Sequence, residues 1–170
     1  MNEEIAVETA AEMRDLGRQL AGLLRLGDLV ILTGPLGAGK TTLTQGIGAG
    51  LGVRGTVTSP TFVIARVHPG PTPLVHVDAY RLGTSLELDD LDLDADVDRS
   101  VTIVEWGEGL AEGLASDRLE VTIMPAAPED AVPEGEPSDI RDQPRTVRIR
   151  GIGSRWQEVR MTRTDVINRL

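Results

Sequence analysis

The sequence contains no cysteine, which excludes disulfides, a thiol nucleophile and any cysteine-ligated zinc site. Phe62, Tyr80, Trp106 and Trp156 are its only Phe, Tyr or Trp residues, so the core has to be built from Leu, Val, Ile and Ala. No apolar run reaches the roughly 18 residues that mark a membrane-crossing helix. The opening Met1-Asn2-Glu3-Glu4 is acidic where a secretion signal is basic, and a soluble cytoplasmic protein is the expectation. Asparagine occurs only as Asn2 and Asn168, which leaves no Asn-Lys-x-Asp signature for guanine. His68 and His76 stand apart, without metal-ligand spacing. The net charge of −10 is opposite to that of an autonomous nucleic-acid binder. A chain of 170 residues suits one domain that buries roughly 70% of its unfolded surface.

Lysine is the most telling scarcity. Of the 17 Lys and Arg residues, only Lys40 is lysine. It stands in Gly34-Pro35-Leu36-Gly37-Ala38-Gly39-Lys40-Thr41, which completes G-x-x-x-x-G-K-[ST], the loop that wraps nucleoside triphosphate phosphates. A small ammonium on a flexible stem sits among phosphates as a point charge, where a planar guanidinium is larger and more rigid. The glycines let backbone N–H groups turn toward phosphate oxygens, and the Thr41 hydroxyl suits Mg²⁺.

The flanking sequence supplies the context that the motif needs. Leu29-Val30-Ile31-Leu32 reads as a buried strand, and Leu43, Ile47 and Leu51 share one face of a helix from Lys40 that stops at Gly52. A helix N-terminus then points at the phosphates. Gly46, Gly48 and Gly50 each weaken that helix by up to ~1 kcal/mol; close packing against the sheet is the expected reason. Upstream, Ile5–Val7 reads as a strand, and Thr9-Ala10-Ala11-Glu12 has capping-box spacing. Ala10, Met13, Leu16, Leu20, Leu23 and Leu24 then follow at helical intervals. Downstream, strands are expected at Thr61–Val67 and Leu74–Asp78, joined as a hairpin. Val101–Val104 reads as a further strand with a helical turn after it, and Leu119–Met124 should pair with Thr146–Ile149.

Three further features bear on chemistry. The strands at 74–78 and 101–105 end in Asp78 and Glu105, each placed to hold Mg²⁺ or orient water if the strand ends lie beside the phosphate loop. Thr58-Ser59-Pro60-Thr61-Phe62 is either a switch-like loop near the γ-phosphate or an ordinary turn into a strand. The aspartates at 89, 90, 92, 94, 96 and 98 fail the calcium-loop pattern, with Val97 where glycine is required and Ile103 where the bidentate Glu belongs. They read as a solvated face or a docking surface.

Residues 125–145 carry five of the ten prolines and six acids, a composition that cannot bury a core. They read as a mobile surface insertion between a 1–124 core and a 146–170 C-terminal strand and Arg-rich end of the same domain. Residues 141–170 hold eight arginines against three acids. A solvated face explains this better than a site for RNA or an acidic partner.

Taken in order, Gly34–Thr42, Ser59-Pro-Thr-Phe62, His76-Val-Asp-Ala-Tyr-Arg81 and Val104-Glu-Trp-Gly107 resemble the TsaE (formerly YjeE) family over roughly residues 5–124. The resemblance implies a phosphate-loop α/β NTPase sandwich with a mixed central sheet, in a single domain. It also implies slow Mg²⁺-dependent ATP hydrolysis that supports TsaD and TsaB in making threonylcarbamoyladenosine beside the tRNA anticodon, with tRNA met only indirectly. Carried over by position, Gly34 and Gly37, Ala38, Gly39, Lys40, Thr41 and Thr42 hold the nucleotide, and Thr41 and Glu105 hold the metal. Asp78 is tied to hydrolysis, Ser59, Thr61 and Phe62 form the switch-like loop, and Trp106 lies near the nucleotide. The rival readings are a free-standing small-molecule kinase on the same loop and a nucleotide-dependent interaction module.

Overall fold

A computed structural model describes residues 1–60, 64–82, 84–85, 87, 98–126 and 143–161. Its strands are β1 (Asn2–Val7), β2 (Leu29–Thr33), β3 (Ala65–His68), β4 (Leu74–Asp78), β5 (Val101–Glu105), β6 (Arg118–Pro125) and β7 (Arg145–Ile152). Its helices are α1 (Ala10–Ala21) and α2 (Lys40–Leu51). The strands form one sheet in the order β1-β7-β6-β2-β5-β4-β3. The β6-β2-β5-β4 centre is parallel, and the outer pairs β1–β7, β7–β6 and β4–β3 are antiparallel. The mixed α/β sheet, the expected β3–β4 hairpin and the expected pairing of β6 with β7 are therefore present.

Strands β2, β4 and β5 are buried without alternation because both their faces are covered. On one face Val30, Leu32, Ile103, Leu119, Val121 and Ile123 pack with α1 and α2 in the larger core. On the other, Leu29, Ile31, Val75, Val77 and Val104 meet Ala79, Ala111 and neighbouring loop residues. Each such fully buried Leu, Ile or Val contributes about 1.5–3 kcal/mol.

Helix α1 begins where its cap predicts. The Thr9 hydroxyl accepts from the Glu12 N–H at 3.1 Å, and the Glu12 carboxylate reaches back to the Glu8 N–H at 2.8 Å, one residue earlier than in the usual reciprocal pair. Met13, Leu16 and Leu20 are buried as the spacing requires. Leu23 and Leu24 lie past the helix end but still pack on the core.

The glycines of α2 have a different reason from the one expected. Gly46 and Gly50 face α1, not the sheet. A Cβ on Gly46 would collide with the Arg14 backbone, 2.8 Å from its Cα, and one on Gly50 would lie 2.5 Å from the Ala21 Cβ. Gly17 of α1 answers them, 2.8 Å by the same measure from the Gly46 Cα. Only Gly48 turns elsewhere, toward Val57 and Leu74 of β4. Small residues on both helices let the backbones touch, and α1 is thereby laid directly against the phosphate-loop helix.

Two boundaries also move. Strand β3 starts at Ala65 rather than Thr61. Residues 61–63 lie outside the described residues, and Ile64 has φ 67°, a left-handed conformation that a β-branched residue rarely adopts and that cannot continue a ladder. At the other end, Pro125 pairs with Arg145, so both ends of the expected 125–145 insertion belong to the sheet. Residues 127–142, the aspartates from 89 to 96 and the end of the chain from 162 lie outside the described residues.

Two arginines of the C-terminal excess are paired with acids locally. Arg148 pairs with Glu4 across β1–β7. Arg155 reaches buried Asp28 at 3.2 Å and the Leu23 carbonyl at 2.7 Å. Trp156 beside it is fully buried, and its carbonyl accepts from the Met1 amine at 2.8 Å.

The helix contact gives a direct test. Gly46→Ala raises intrinsic helix propensity by about 1 kcal/mol but forces α1 and α2 apart, and overpacking of this kind costs about 1–3 kcal/mol. A lower melting temperature is expected, whereas Gly113→Ala, with no atom within 4 Å of the new Cβ, should be nearly neutral. Equal or greater stability of the Gly46 variant would refute the contact.

Candidate functional site

Strand β2 lies between β5 and β6, so the chain turns to opposite sides of it and opens a crevice at the carboxyl ends of the strands. The loop from Gly34 to Gly39 fills that position. Gly34, Gly37 and Gly39 have φ of 151°, 78° and 109°, and Gly34 lies against the Ile123 carbonyl of β6, where any side chain would collide. The first N–H groups of α2 have no intrahelical acceptor and carry the positive end of its dipole. They face this loop.

Lys40 opens α2 and is almost fully buried. Its Nζ donates to the Gly34 carbonyl at 2.8 Å and the Pro35 carbonyl at 3.0 Å, and it sits 3.7 Å from the centre of the Trp106 ring. Burial pushes its pKa below the ordinary lysine range, while the charges of Glu105 and Asp78 pull it back up. Both strand-end acids therefore face the lone lysine.

The register explains how they arrive there. Leu32 of β2 and Asp78 of β4 both pair with Glu105 of β5, which aligns the three strand ends and puts both acids on one face. Glu105 is buried, and its Oε1 accepts from the Thr41 hydroxyl at 3.0 Å. Asp78 is also buried, and its side chain caps the turn Ala79–Arg81 by accepting from the Tyr80 N–H at 3.0 Å. Thr42 follows Thr41 on the first turn of α2, on the side toward α1.

Trp106 comes to Lys40 through an unusual backbone. Its φ is 61°, a left-handed conformation that costs a bulky residue roughly 1–3 kcal/mol. The structure holds it by its N–H on the Leu32 carbonyl at 2.9 Å and by the Tyr80 ring, 5.0 Å away. The Trp106 ring is thereby held against the Lys40 ammonium. For the switch-like loop, the Arg66 guanidinium donates to the Thr58 hydroxyl at 2.5 Å. The Ile64 N–H binds the Pro60 carbonyl, and the Asp78 N–H binds the Ile64 carbonyl, both at 2.8 Å. The loop containing Ser59 is therefore tied to the backbone of Asp78, while Thr61 and Phe62 lie outside the described residues.

One residue was missed. His76, read from sequence as isolated, is completely buried and its Nε2 lies 2.8 Å from Glu105 Oε1. With a carboxylate as partner, Nε2 carries the hydrogen. Nδ1 then has no hydrogen-bond partner, a cost that an apolar residue in this strand would avoid. The signal lay in position: His76 and Asp78 are two apart on one strand and so share a face, but only the pairing with β5 shows that Glu105 shares it too.

The His68 ring lies 6.2 Å from that of His76, tilted by 37°. Its pKa is lowered, first by burial and then by His76 and Arg66. The unfolded chain therefore takes up this proton more readily than the folded one, so stability is lost as pH falls below the ordinary histidine value of about 6.5. His68→Phe should lose less stability than the parent between pH 7.5 and 5.5 in urea unfolding. An identical loss in both would contradict this.

A glycine loop at the switch point of a mixed sheet, with a buried lysine at the head of its helix and two strand-end carboxylates beside it, defines a phosphate-loop NTPase-like protein. A family model described as threonylcarbamoyl adenosine biosynthesis protein TsaE matches residues 7–131, and the chain belongs to the TsaE family. It is similar to the tRNA threonylcarbamoyladenosine biosynthesis protein TsaE of Streptomyces coelicolor, 59% identical over 149 residues, covering 85% of this chain and 93% of that protein. The Bacillus subtilis protein of the same name is 38% identical over 121 residues, covering 70% and 75%. A crystal structure of YdiB from Bacillus subtilis superposes with a TM-score of 0.69 at 29% identity, over 92% of this chain and 89% of that one. Among the described residues, no helix is long and apolar enough to cross a membrane.

Proposed function

We propose that the chain binds and slowly hydrolyses Mg·ATP as an accessory subunit of tRNA threonylcarbamoyladenosine synthesis. In this reading it supports turnover of a TsaD–TsaB transferase and meets tRNA only through that pair. The observation that carries the reading is the buried Lys40 at the glycine loop, faced by Glu105 and Asp78. A cation desolvated to this degree gains most from an anionic ligand, and phosphate oxygens would replace the neutral carbonyls of Gly34 and Pro35 as its acceptors.

The donor set fits magnesium. Among the described residues no group of three or more His, Asp or Glu could hold a metal ion by itself. Mg²⁺ needs no such group, since it keeps several waters and takes one or two carboxylates together with substrate phosphates. Thr41 and Glu105 would hold it, with His76 keeping the Glu105 carboxylate in place. When bound, the ion would neutralise charge on the transferring phosphoryl group. Lys40 contributes a fixed positive charge at the same place, and the N–H groups of Gly37 to Thr42 orient the phosphates. Asp78, held by its cap to Tyr80, would position the attacking water. Trp106 covers the ammonium and keeps solvent from weakening its field. Catalysis of this kind consists almost entirely of positioning and electrostatics.

The test is phosphate release from Mg·ATP, measured for the chain alone and with TsaD and TsaB from the same source. Stimulation by the pair is expected. Lys40→Ala should reduce turnover by roughly 10²–10³-fold, equivalent to ~3–4 kcal/mol, and a variant within a few-fold of the parent would sink the assignment. Activity indifferent to the pair would favour a free-standing phosphotransferase. Asp78→Asn should bind ATP normally yet hydrolyse it slowly. Lost affinity with normal single-turnover hydrolysis would show that Asp78 does not position the water.

A further inference from the structure

Near the acidic end of the site, two buried ring nitrogens have no hydrogen-bond partner among the described residues: His76 Nδ1 and His68 Nε2. The hairpin brings their rings together. His68 of β3 pairs with Leu74 of β4, and Leu74 and His76 are two apart on that strand, so the three side chains share one face of the sheet. Both histidines are buried there. Their ring centres are 6.2 Å apart, too far for one ring to bond the other directly. Two hydrogen bonds of about 2.8–3.0 Å each, made through a single water, can span such a gap.

A polar group shut away from water without a partner is costly, and one such group beside another is the setting in which buried water is kept. Water donates to one nitrogen and accepts from the other, or donates to both, so it suits either arrangement of the ring hydrogens. It stays only where it finds at least two polar partners. His76 offers one, since its Nε2 is already engaged with Glu105 at 2.8 Å. His68 offers the second. A phenyl or alkyl side chain in place of His68 would leave the water with a single partner, and His76 Nδ1 with none.

We propose that one buried water joins His76 Nδ1 to His68 Nε2, and that His68 is thereby a positioning residue. The His76 ring is then anchored at both nitrogens, which holds its Nε2 on Glu105 and the Glu105 carboxylate toward Thr41. The functional half of this inference rests on the proposed binding of Mg·ATP, for which Glu105 and Thr41 would hold the metal. The bridge itself does not, because it is complete without nucleotide. It also gives a use to a histidine that no metal-ligand spacing explains.

The chain has only two histidines, so the imidazole signals of the ¹⁵N-histidine-labelled protein are assigned by single substitution. Without nucleotide, the His76 Nε2–H should be sharp and slow to exchange in the parent, broadened in His68→Phe and restored in His68→Gln, whose amide returns a polar partner to the water. A high-resolution crystal structure of the parent should show the water between the rings. With Mg·ATP, His68→Phe should raise the Mg²⁺ concentration for half-maximal phosphate release by about 3–10-fold, less than the roughly 10–100-fold of a group bonded directly to a metal ligand. Its kcat at saturating Mg²⁺ should be retained, and His68→Gln should recover the parent Mg²⁺ dependence. No water between the rings, or a His76 signal indifferent to His68→Phe, would overturn the bridge. A fall in kcat with unchanged Mg²⁺ dependence, and no recovery in His68→Gln, would make His68 a packing residue and overturn the positioning role. A parent chain that neither bound nor hydrolysed Mg·ATP would sink the proposed function, while the nucleotide-free spectra would still decide the bridge.

Discussion

A buried ammonium is the constraint on which the rest of this structure turns. Lys40 is removed from water at the head of α2, and a charge placed there without partners would be strongly destabilising. Three separate stretches of chain converge to prevent that. The loop provides two carbonyls, β4 and β5 provide Asp78 and Glu105, and the residue after β5 provides the face of an indole. Each depends on the others: Glu105 also receives Thr41 and His76, and Trp106 is held by Tyr80 from the turn that Asp78 caps. The ammonium has hydrogen-bond acceptors as it stands, yet those acceptors are the neutral carbonyls of Gly34 and Pro35. An anionic ligand can therefore improve on them.

The frame that brings these groups together is the parallel centre of the sheet. Registering β2, β5 and β4 with their ends level places a loop and two carboxylates along one edge, and a shift of one residue would turn either acid to the opposite face. Helix α2 has to leave β2 at a fixed angle for its N-terminus to meet that edge. Its glycines, set against Gly17 of α1, make this possible by letting the two helices approach to backbone contact. Gly46 and Gly50 lower the intrinsic stability of α2, and tertiary packing supplies the stability in its place.

The C-terminal strand shows how one element can serve fold and site together. Strand β7 fills the gap between β1 and β6, and the segment after it carries Trp156 into the core and Arg155 to Asp28. Its first residue, Arg145, lies against the phosphate loop, with Nη2 3.5 Å from the Gly37 carbonyl.

The local signals were plain in the sequence. The loop motif, the apolar strand before it, the cap of α1 and the Gly52 stop are each decided by a few neighbouring residues, so they are legible without the fold. The same holds for Asp78 and Glu105 as strand-end acids. What the sequence did not contain was any relation across the sheet. His76 lay outside the expected site because its partner is 29 residues away and is brought to it by strand pairing. The helix glycines were assigned to the sheet because a sequence shows that a residue is small but not what approaches it. The left-handed turn at Ile64 broke a strand that composition favoured, since long-range contacts overrode local preference. Chemical identity was therefore settled by adjacent residues. The strand register and the packing of α1 on α2 decided which distant groups share the buried charge, because Asp78, Glu105 and Trp106 lie far from Lys40 in the chain and meet it only in the folded sheet.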